Sequence, residues 1–536
     1  MTVPDAVVIG AGPNGLTSAN VLADAGWSVT VVEGNAQPGG AVRTDEVTAP
    51  GFKNDLFSAF YPLAAASPAL RALDLEAYGL RWSRSPLALG NPTAGGPTAI
   101  IAPDIDATAA SLDEFAPGDG DAWRALYRQW ERVGDALVDS LLTPFPPVRA
   151  GARLARRVGR AGLLDFARFG LLPVRRMADE EFDGAGGGLL LAGCALHTDL
   201  GPDSTAGGLF GWLLCGLAQQ IGFPVPEGGA QSLIDALVRR LEARGGSVVL
   251  GQRVARIEVR SGRAVAVETV DGSRYEASRA VLADVGAPAL YLDLVGREHL
   301  PARLVDHLER RFQYGDGTVK LDWALDGPIP WSDSQLGGAG TVHLADSLDD
   351  LTVMSSQLAR DLVPSRPFLV VGQMTTADPT RSPEGTEAAW AYAHVPRDVA
   401  GDAGPDGIRG KWDDQDREAF VARMEDRIEA HAPGFRQLIR ARHVMTPPDL
   451  ESANPNLVGG EVNGGTAHLH QQLVFRPTPG LGRPETPVEG LFLASASAHP
   501  GGGVHGACGA NAAQAALAAE RPVAGLVAKA AQRLVL

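Results

Sequence analysis

Residues 6–33 read AVVIGAGPNGLTSANVLADAGWSVTVVE. The β-branched run Ala6–Ile9 predicts a strand, Leu16–Ala25 an apolar helix closed by Gly26, and Ser28–Val32 a second strand that ends at Glu33. Strand, glycine turn, helix and strand within about 30 residues make one βαβ unit. In the turn, Gly10 permits the tight bend, Gly12 lets the backbone approach a pyrophosphate, and Gly15 lets the helix pack on the strand. Pro13 and Asn14 open the helix, whose first N–H groups and dipole favour phosphate. Glu33 follows Gly15 by 18 residues, where a carboxylate accepts hydrogen bonds from a ribose diol and repels a 2′-phosphate. The stretch therefore predicts a bound dinucleotide with an unphosphorylated ribose, and the spacing does not separate FAD from NAD.

Composition sets the frame. The chain has 536 residues, 45% of them hydrophobic, with 47 Lys+Arg against 63 Asp+Glu and a formal net charge of −16. That length exceeds what one core serves, roughly 250–300 residues, so at least two domains are expected. The acidic balance argues against nucleic acid as a partner. Three cysteines, Cys194, Cys215 and Cys508, without a CxxC pair, exclude a disulfide scaffold, a cysteine zinc site and a dithiol redox centre. The eleven histidines show no HExxH or other metal-ligand spacing, so no metal is expected. Met1–Gly10 lacks the pattern of an export signal. The best apolar run, Gly207–Gly222, is short of the roughly 20 residues that cross a bilayer. A cytoplasmic protein, soluble or peripheral on a membrane, is the expectation.

Further along, Ser232–Arg244 has helical periodicity. Ser247–Leu250, Arg253–Val259 and Ala264–Val270 read as strands with a hairpin turn at Asp271-Gly272. Ala280–Ala283 and Leu491–Ala494 are further short strands. A glycine-rich turn over His499–Gly509 leads to a small-residue helix, Ala510–Glu520. The region from about 300 to 472, rich in Gly, Pro and Asp, does not resolve by pattern.

Three further segments carry a resemblance. Pro38-Gly39-Gly40-Ala41-Val42-Arg43-Thr44 after Glu33, Pro226-Glu227-Gly228-Gly229 before a helix, and His499-Pro500-Gly501-Gly502-Gly503-Val504-His505-Gly506 near the end together resemble the phytoene-desaturase-like FAD-dependent oxidoreductases of the amine-oxidase superfamily. The resemblance extends to the branch containing the pyridine nucleotide-disulphide oxidoreductase domain-containing proteins. It implies FAD as cofactor. Gly39, Gly40 and Arg43 would lie along the pyrophosphate, Val254 at the adenine, and Ala496, Gly503 and Val504 at the flavin edge. It also implies an α/β fold: a discontinuous Rossmann-type FAD-binding domain of residues 1–75, 224–295 and 485–536, with an inserted α+β substrate-binding region of 76–223 and 296–484.

The activity implied is desaturation or oxidation of a hydrophobic, isoprenoid- or polyene-like molecule by hydride transfer to flavin N5. Without a second nucleotide fingerprint, oxygen or a quinone would accept the electrons. Flavin-dependent amine oxidation, isomerisation, saturation and a non-catalytic flavin-binding interaction protein are the alternatives. His505, beside the expected flavin edge, is the candidate acid/base. His468 and His470, two apart on an expected strand, would share one face and reach substrate. Finally, 148–177 holds eight arginines and one acid among leucines. It reads either as a membrane-surface contact or as a solvated helix paired with acidic neighbours.

Overall fold

The computed structural model describes residues 3–521; the last part of the expected cofactor unit, 522–536, lies outside the described residues. The first strand, Ala6–Ile9, sits in the middle of a five-stranded parallel sheet, between Val29–Val32 and Ala280–Ala283. Ser247–Val249 and Leu491–Leu493 form the two edges. These strands are short and apolar because both faces are covered, the usual condition of a parallel sheet. Ala6 and Val8 pack against the helices Pro13–Asp24, Gln231–Ala243 and Ala507–Ala519. Val7 and Ile9 face a three-stranded antiparallel sheet, Val254–Arg260, Arg263–Thr269 and Arg274–Glu276. Period-2 alternation within one strand thus builds two cores.

A seven-stranded sheet lies beyond, in the order 439–445, 317–325, 387–395, 369–373, 339–344, 87–92, 98–101. Its neighbours are antiparallel except Ala339–Leu344 beside Leu87–Pro92. One face packs on the helix Asp414–His431. Near the other face stand the helices Asp119–Leu142, Ala185–Ala195 and Gly207–Ile221, which bury Trp130, Leu190 and Trp212. Among the described residues no helix is long and apolar enough to cross a membrane.

Two expectations are corrected. The last helix starts at Ala507, not Ala510. Gly506, in the left-handed region at φ 66°, caps it, and Gly509, which reads as a turn residue, lies inside the helix because its bare face packs on Asn14. His468 and His470 are not on a strand: Leu469–Gln471 is a 3₁₀ turn. The turn is held by the Gln471 side chain, which accepts the Gln313 N–H at 2.8 Å and donates to the Gln313 carbonyl at 2.8 Å.

The basic stretch forms three short helices, Val148–Val158, Leu163–Phe169 and Val174–Glu181. Arg153 pairs with Asp139, Arg157 with Asp135, Arg168 and Arg176 with Glu180, and Arg175 with Asp203 and Asp349. Arg149, Arg156 and Arg160 have no ion pair among the described residues.

Candidate active site

The glycine turn is built from close approaches. A Cβ on Gly15 would overlap the Gly10 carbonyl, and one on Gly12 would stand 2.8 Å from Asp284 Oδ2. Gly40, at φ +56°, faces Gly12 so closely that a Cβ would lie 3.2 Å from the Gly12 Cα, and the Gly39 N–H donates to the Ala11 carbonyl at 2.9 Å. The two glycine segments therefore form one cradle. Glu33 ties its rim: Oε2 accepts the Ala11 N–H at 2.7 Å and Oε1 the Asn35 N–H at 2.8 Å. Arg43 lies over the Phe57 ring at 5.1 Å and donates to the Ala453 carbonyl at 3.2 Å. Val254 is half-buried at the start of its strand, next to Gln252, whose N–H donates to the Glu33 carbonyl at 2.7 Å.

A cavity of about 660 Å³ runs from this cradle into the second sheet. Gly12, Pro13, Asn14, Gly40, Ala496, Gly503, Val504 and His505 line it. Gly10, Gly15, Glu33, Gly39, Arg43 and Val254 are not among its lining residues, nor are His468 and His470. Those two rings stack on each other at 5.9 Å, and His470 is exposed, with Nε2 3.2 Å from Gln313 Oε1.

His505 is buried, which pushes its pKa down to about 4. Its Nδ1 accepts the Ala507 N–H at 3.0 Å, so the neutral ring carries its hydrogen on Nε2, and the backbone of Gly501 and Gly502 beside it offsets part of the shift. Removing a proton from substrate through this ring would first require breaking the cap of the last helix.

Four groups that pattern reading missed stand in or around the site. Asp284 follows the strand Ala280–Ala283 and lines the cavity beside the glycine turn. Its Oδ2 accepts the Gly15 N–H at 2.9 Å, and burial, with a smaller contribution from Glu33, raises its pKa to about 7. Its place at the carboxyl end of a parallel strand is the one signal that could have found it. Arg476 is buried, with no carboxylate within ion-pair distance among the described residues. It donates to the carbonyls of Asn463, Thr466 and Ala496 at 2.8–3.0 Å. Glu461 takes the N–H groups of Asn463 and Gly465 at 2.5 and 3.0 Å. Cation and anion thus hold one loop by its opposite backbone groups. Lys320, buried on the second sheet, gives two hydrogen bonds of 2.6 Å to Asp322 and lies 5.8 Å over the Trp390 ring.

The sequence profile of NAD(P)-binding Rossmann-like domains matches residues 8–73, and that of the flavin-containing amine oxidoreductases matches residues 102–389, more than half of the chain. The chain belongs to the flavin-containing amine oxidoreductases. Across 95% of its length it is 30% identical to pyridine nucleotide-disulfide oxidoreductase domain-containing protein 2 of Mus musculus, covering 92% of that protein. It is 25% identical to the neurosporene-forming phytoene desaturase of Cereibacter sphaeroides over 99% of this chain and 97% of the desaturase. A crystal structure of an oxidoreductase from Methanosarcina mazei shares the fold at a TM-score of 0.59 and 18% identity, covering 96% of this chain and 99% of that one. Membership of this phytoene-desaturase-like family makes the protein an FAD-dependent oxidoreductase.

The residues present fit the cofactor. The Gly12–Gly40 cradle has no room for side chains. Asn14 Oδ1 and Arg43 Nε are buried polar atoms with no partner among the described residues. Backbone from both ends of the chain, at Gly12–Asn14 and Gly502–Val504, meets on one cavity.

Proposed function

We propose that this flavoenzyme oxidises a hydrophobic, isoprenoid- or polyene-like molecule held in the cavity. The observation that carries this reading is the continuity of the cavity from the glycine cradle to a wall of Leu141, Leu142, Phe166, Leu209, Phe210 and Leu213. Such a wall binds an apolar chain by taking its surface out of water, at roughly 25 cal/mol per Å².

When bound, FAD supplies a two-electron acceptor for hydride at N5. The protein's part is to bind and to orient. Gly12, Asn14 and Gly40 hold the diphosphate, Glu33 the ribose, Arg43 a phosphate charge, and Ala496, Gly503 and Val504 the flavin edge. In this reading residues 1–75, 224–295 and 485–536 serve the cofactor, and 76–223 with 296–484 serve the substrate. The apolar wall excludes water, and the N–H of His505 donates to a neighbouring acceptor. Oxygen or a quinone takes the electrons onward.

An amine substrate is the second reading. Against it stands the pairing of Lys320 with Asp322 at 2.6 Å, which leaves that carboxylate unable to hold an ammonium.

Substrate entry is proposed at the Leu163–Leu171 segment. Phe166, Ala167, Gly170 and Leu171 line the cavity, while Leu163, Leu164 and Leu171 are exposed on the outside. With Arg149, Arg156 and Arg160 unpaired, that surface suits peripheral contact with an anionic membrane.

Anaerobic mixing of the FAD-loaded protein with polyenes, prenyl compounds and amines tests the reading. Loss of the visible flavin band with the apolar compounds is expected. Loss with amines alone would replace it with the second reading, and no loss with any would favour a non-catalytic flavoprotein.

A further inference from the structure

The floor of the cavity is a sheet face with a chemistry of its own. On the strand Gly317–Leu325, Val319, Leu321 and Trp323 enter the core beneath the helix Asp414–His431, so Thr318, Lys320 and Asp322 point to the opposite face. The register sets Lys320 opposite Tyr392 and Asp322 opposite Trp390. The Trp390 row continues through Gly372 to Thr341. Thr318, Lys320, Thr341, Trp390 and Tyr392 all line the cavity.

Thr318 is 5% and Thr341 1% exposed, and neither hydroxyl has a hydrogen-bond partner among the described residues. An unpartnered buried hydroxyl costs roughly 1–3 kcal/mol, and valine would fill the same space on a strand at no such cost. Lys320 spends two N–H groups on Asp322 and keeps one. Thr318 and Lys320, two apart on one strand, therefore set two donors side by side in a cavity whose helical wall is apolar, while Thr341 lies three strands away. The Lys320–Asp322 pair leaves no net charge to balance an ion.

We propose that this face is a head-group subsite, which takes a neutral oxygen, hydroxyl or carbonyl, at the end of an apolar chain lying along the helical wall. The proposal rests on the hydrophobic-substrate reading and narrows it from a plain hydrocarbon to an oxygenated one. The same chemistry belongs to an oxidisable prenyl alcohol or to a prenylated quinone acting as acceptor.

Farnesol, the hydrocarbon farnesene and a short prenylquinone, titrated calorimetrically into the FAD-loaded protein, provide the test. Farnesol is expected to bind about tenfold more tightly than farnesene, about 1.4 kcal/mol. Thr318→Val should reduce that preference with farnesene binding unchanged, Thr318→Ser should retain it, and Thr341→Val, three strands away, should leave it as it is. Flavin content checks that the variants fold, and the wild-type comparison stands without them.

Anaerobic loss of the flavin band with farnesol assigns the subsite to the oxidised molecule, its carbinol carbon giving hydride to FAD and its hydroxyl a proton to water. Return of the band when the prenylquinone meets reduced protein, with both carbonyls leaving as hydroxyls, assigns it to the acceptor. Equal binding of farnesol and farnesene, with flavin reduced by either, overturns the subsite and leaves the hydrophobic-substrate reading in place. Binding of neither overturns both.

Discussion

Gly509 and Asn14, from opposite ends of the chain, stand so close that a Cβ on the glycine would overlap the asparagine carbonyl. The contact fixes the last helix across the start of the first one, and with it the distance between the two halves of the cofactor cradle. Gly509→Ala must push the helices apart. A loss of roughly 1–3 kcal/mol, the usual cost of overpacking, is expected in urea denaturation, together with reduced FAD content in the purified protein. A variant as stable and as yellow as the parent would show that the close approach does not matter.

Asp284 makes cofactor binding depend on pH. Burial raises its pKa from the ordinary carboxylate value to about 7, and a diphosphate at the neighbouring glycine turn favours the protonated form further. FAD affinity should fall as pH rises through about 7. Asp284→Asn, which still accepts the Gly15 N–H, should flatten that dependence in fluorescence titrations of the apoprotein.

The same group bears on stability, with a definite sign. Below the unfolded-state pKa, Asp284 is neutral in both states and costs nothing. As pH rises toward its folded pKa the unfolded chain releases its proton first, so the native state loses stability. Asp284→Asn should match the parent below about pH 4 and exceed it by up to roughly 4 kcal/mol above pH 7. Thermal melts at a series of pH values measure the difference, and a gap that is widest in acid would contradict the assignment.

Arg476 acts through the loop that it holds. Lysine cannot reach the carbonyls of Asn463, Thr466 and Ala496 together, so Arg476→Lys leaves buried acceptors unmet at roughly 1–3 kcal/mol each. Lower thermal stability and faster FAD release on dilution are expected. An unchanged release rate would separate the loop from the cofactor.

Liposome flotation tests the entry surface. Because Arg153 and Arg157 are engaged by Asp139 and Asp135, reversing them reports on folding as much as on lipid. Leu163→Ser with Leu164→Ser, and Arg149, Arg156 and Arg160→Glu, alter the surface alone. Both sets should abolish flotation on anionic vesicles, and vesicle binding by both would remove this face from consideration.

What the sequence by itself determined is whatever neighbours along the chain impose on one another. Gly10, Gly12 and Gly15 specify the turn because each spacing answers a local steric need. The hairpin about Asp271-Gly272 and the strand Ala280–Ala283 declare themselves by turn chemistry and β-branched runs. The final glycine-rich turn marked the second wall of the cavity for the same reason.

Only the tertiary structure decided the rest. Thr318–Trp323 alternates polar and apolar residues like a strand with one face in water, yet Lys320 and Asp322 are buried as well, which makes sense only once Tyr392 and Trp390 lie opposite. Arg476 and Asp284 draw their roles from partners far away in sequence. His468 and His470 alternate like strand residues, yet the Gln471–Gln313 contact folds them into a turn. His505 lines the cavity, and the Ala507 N–H at its Nδ1 makes its other nitrogen a donor there. Each of these outcomes depends on who is adjacent in space, and periodicity along the chain carries no record of that.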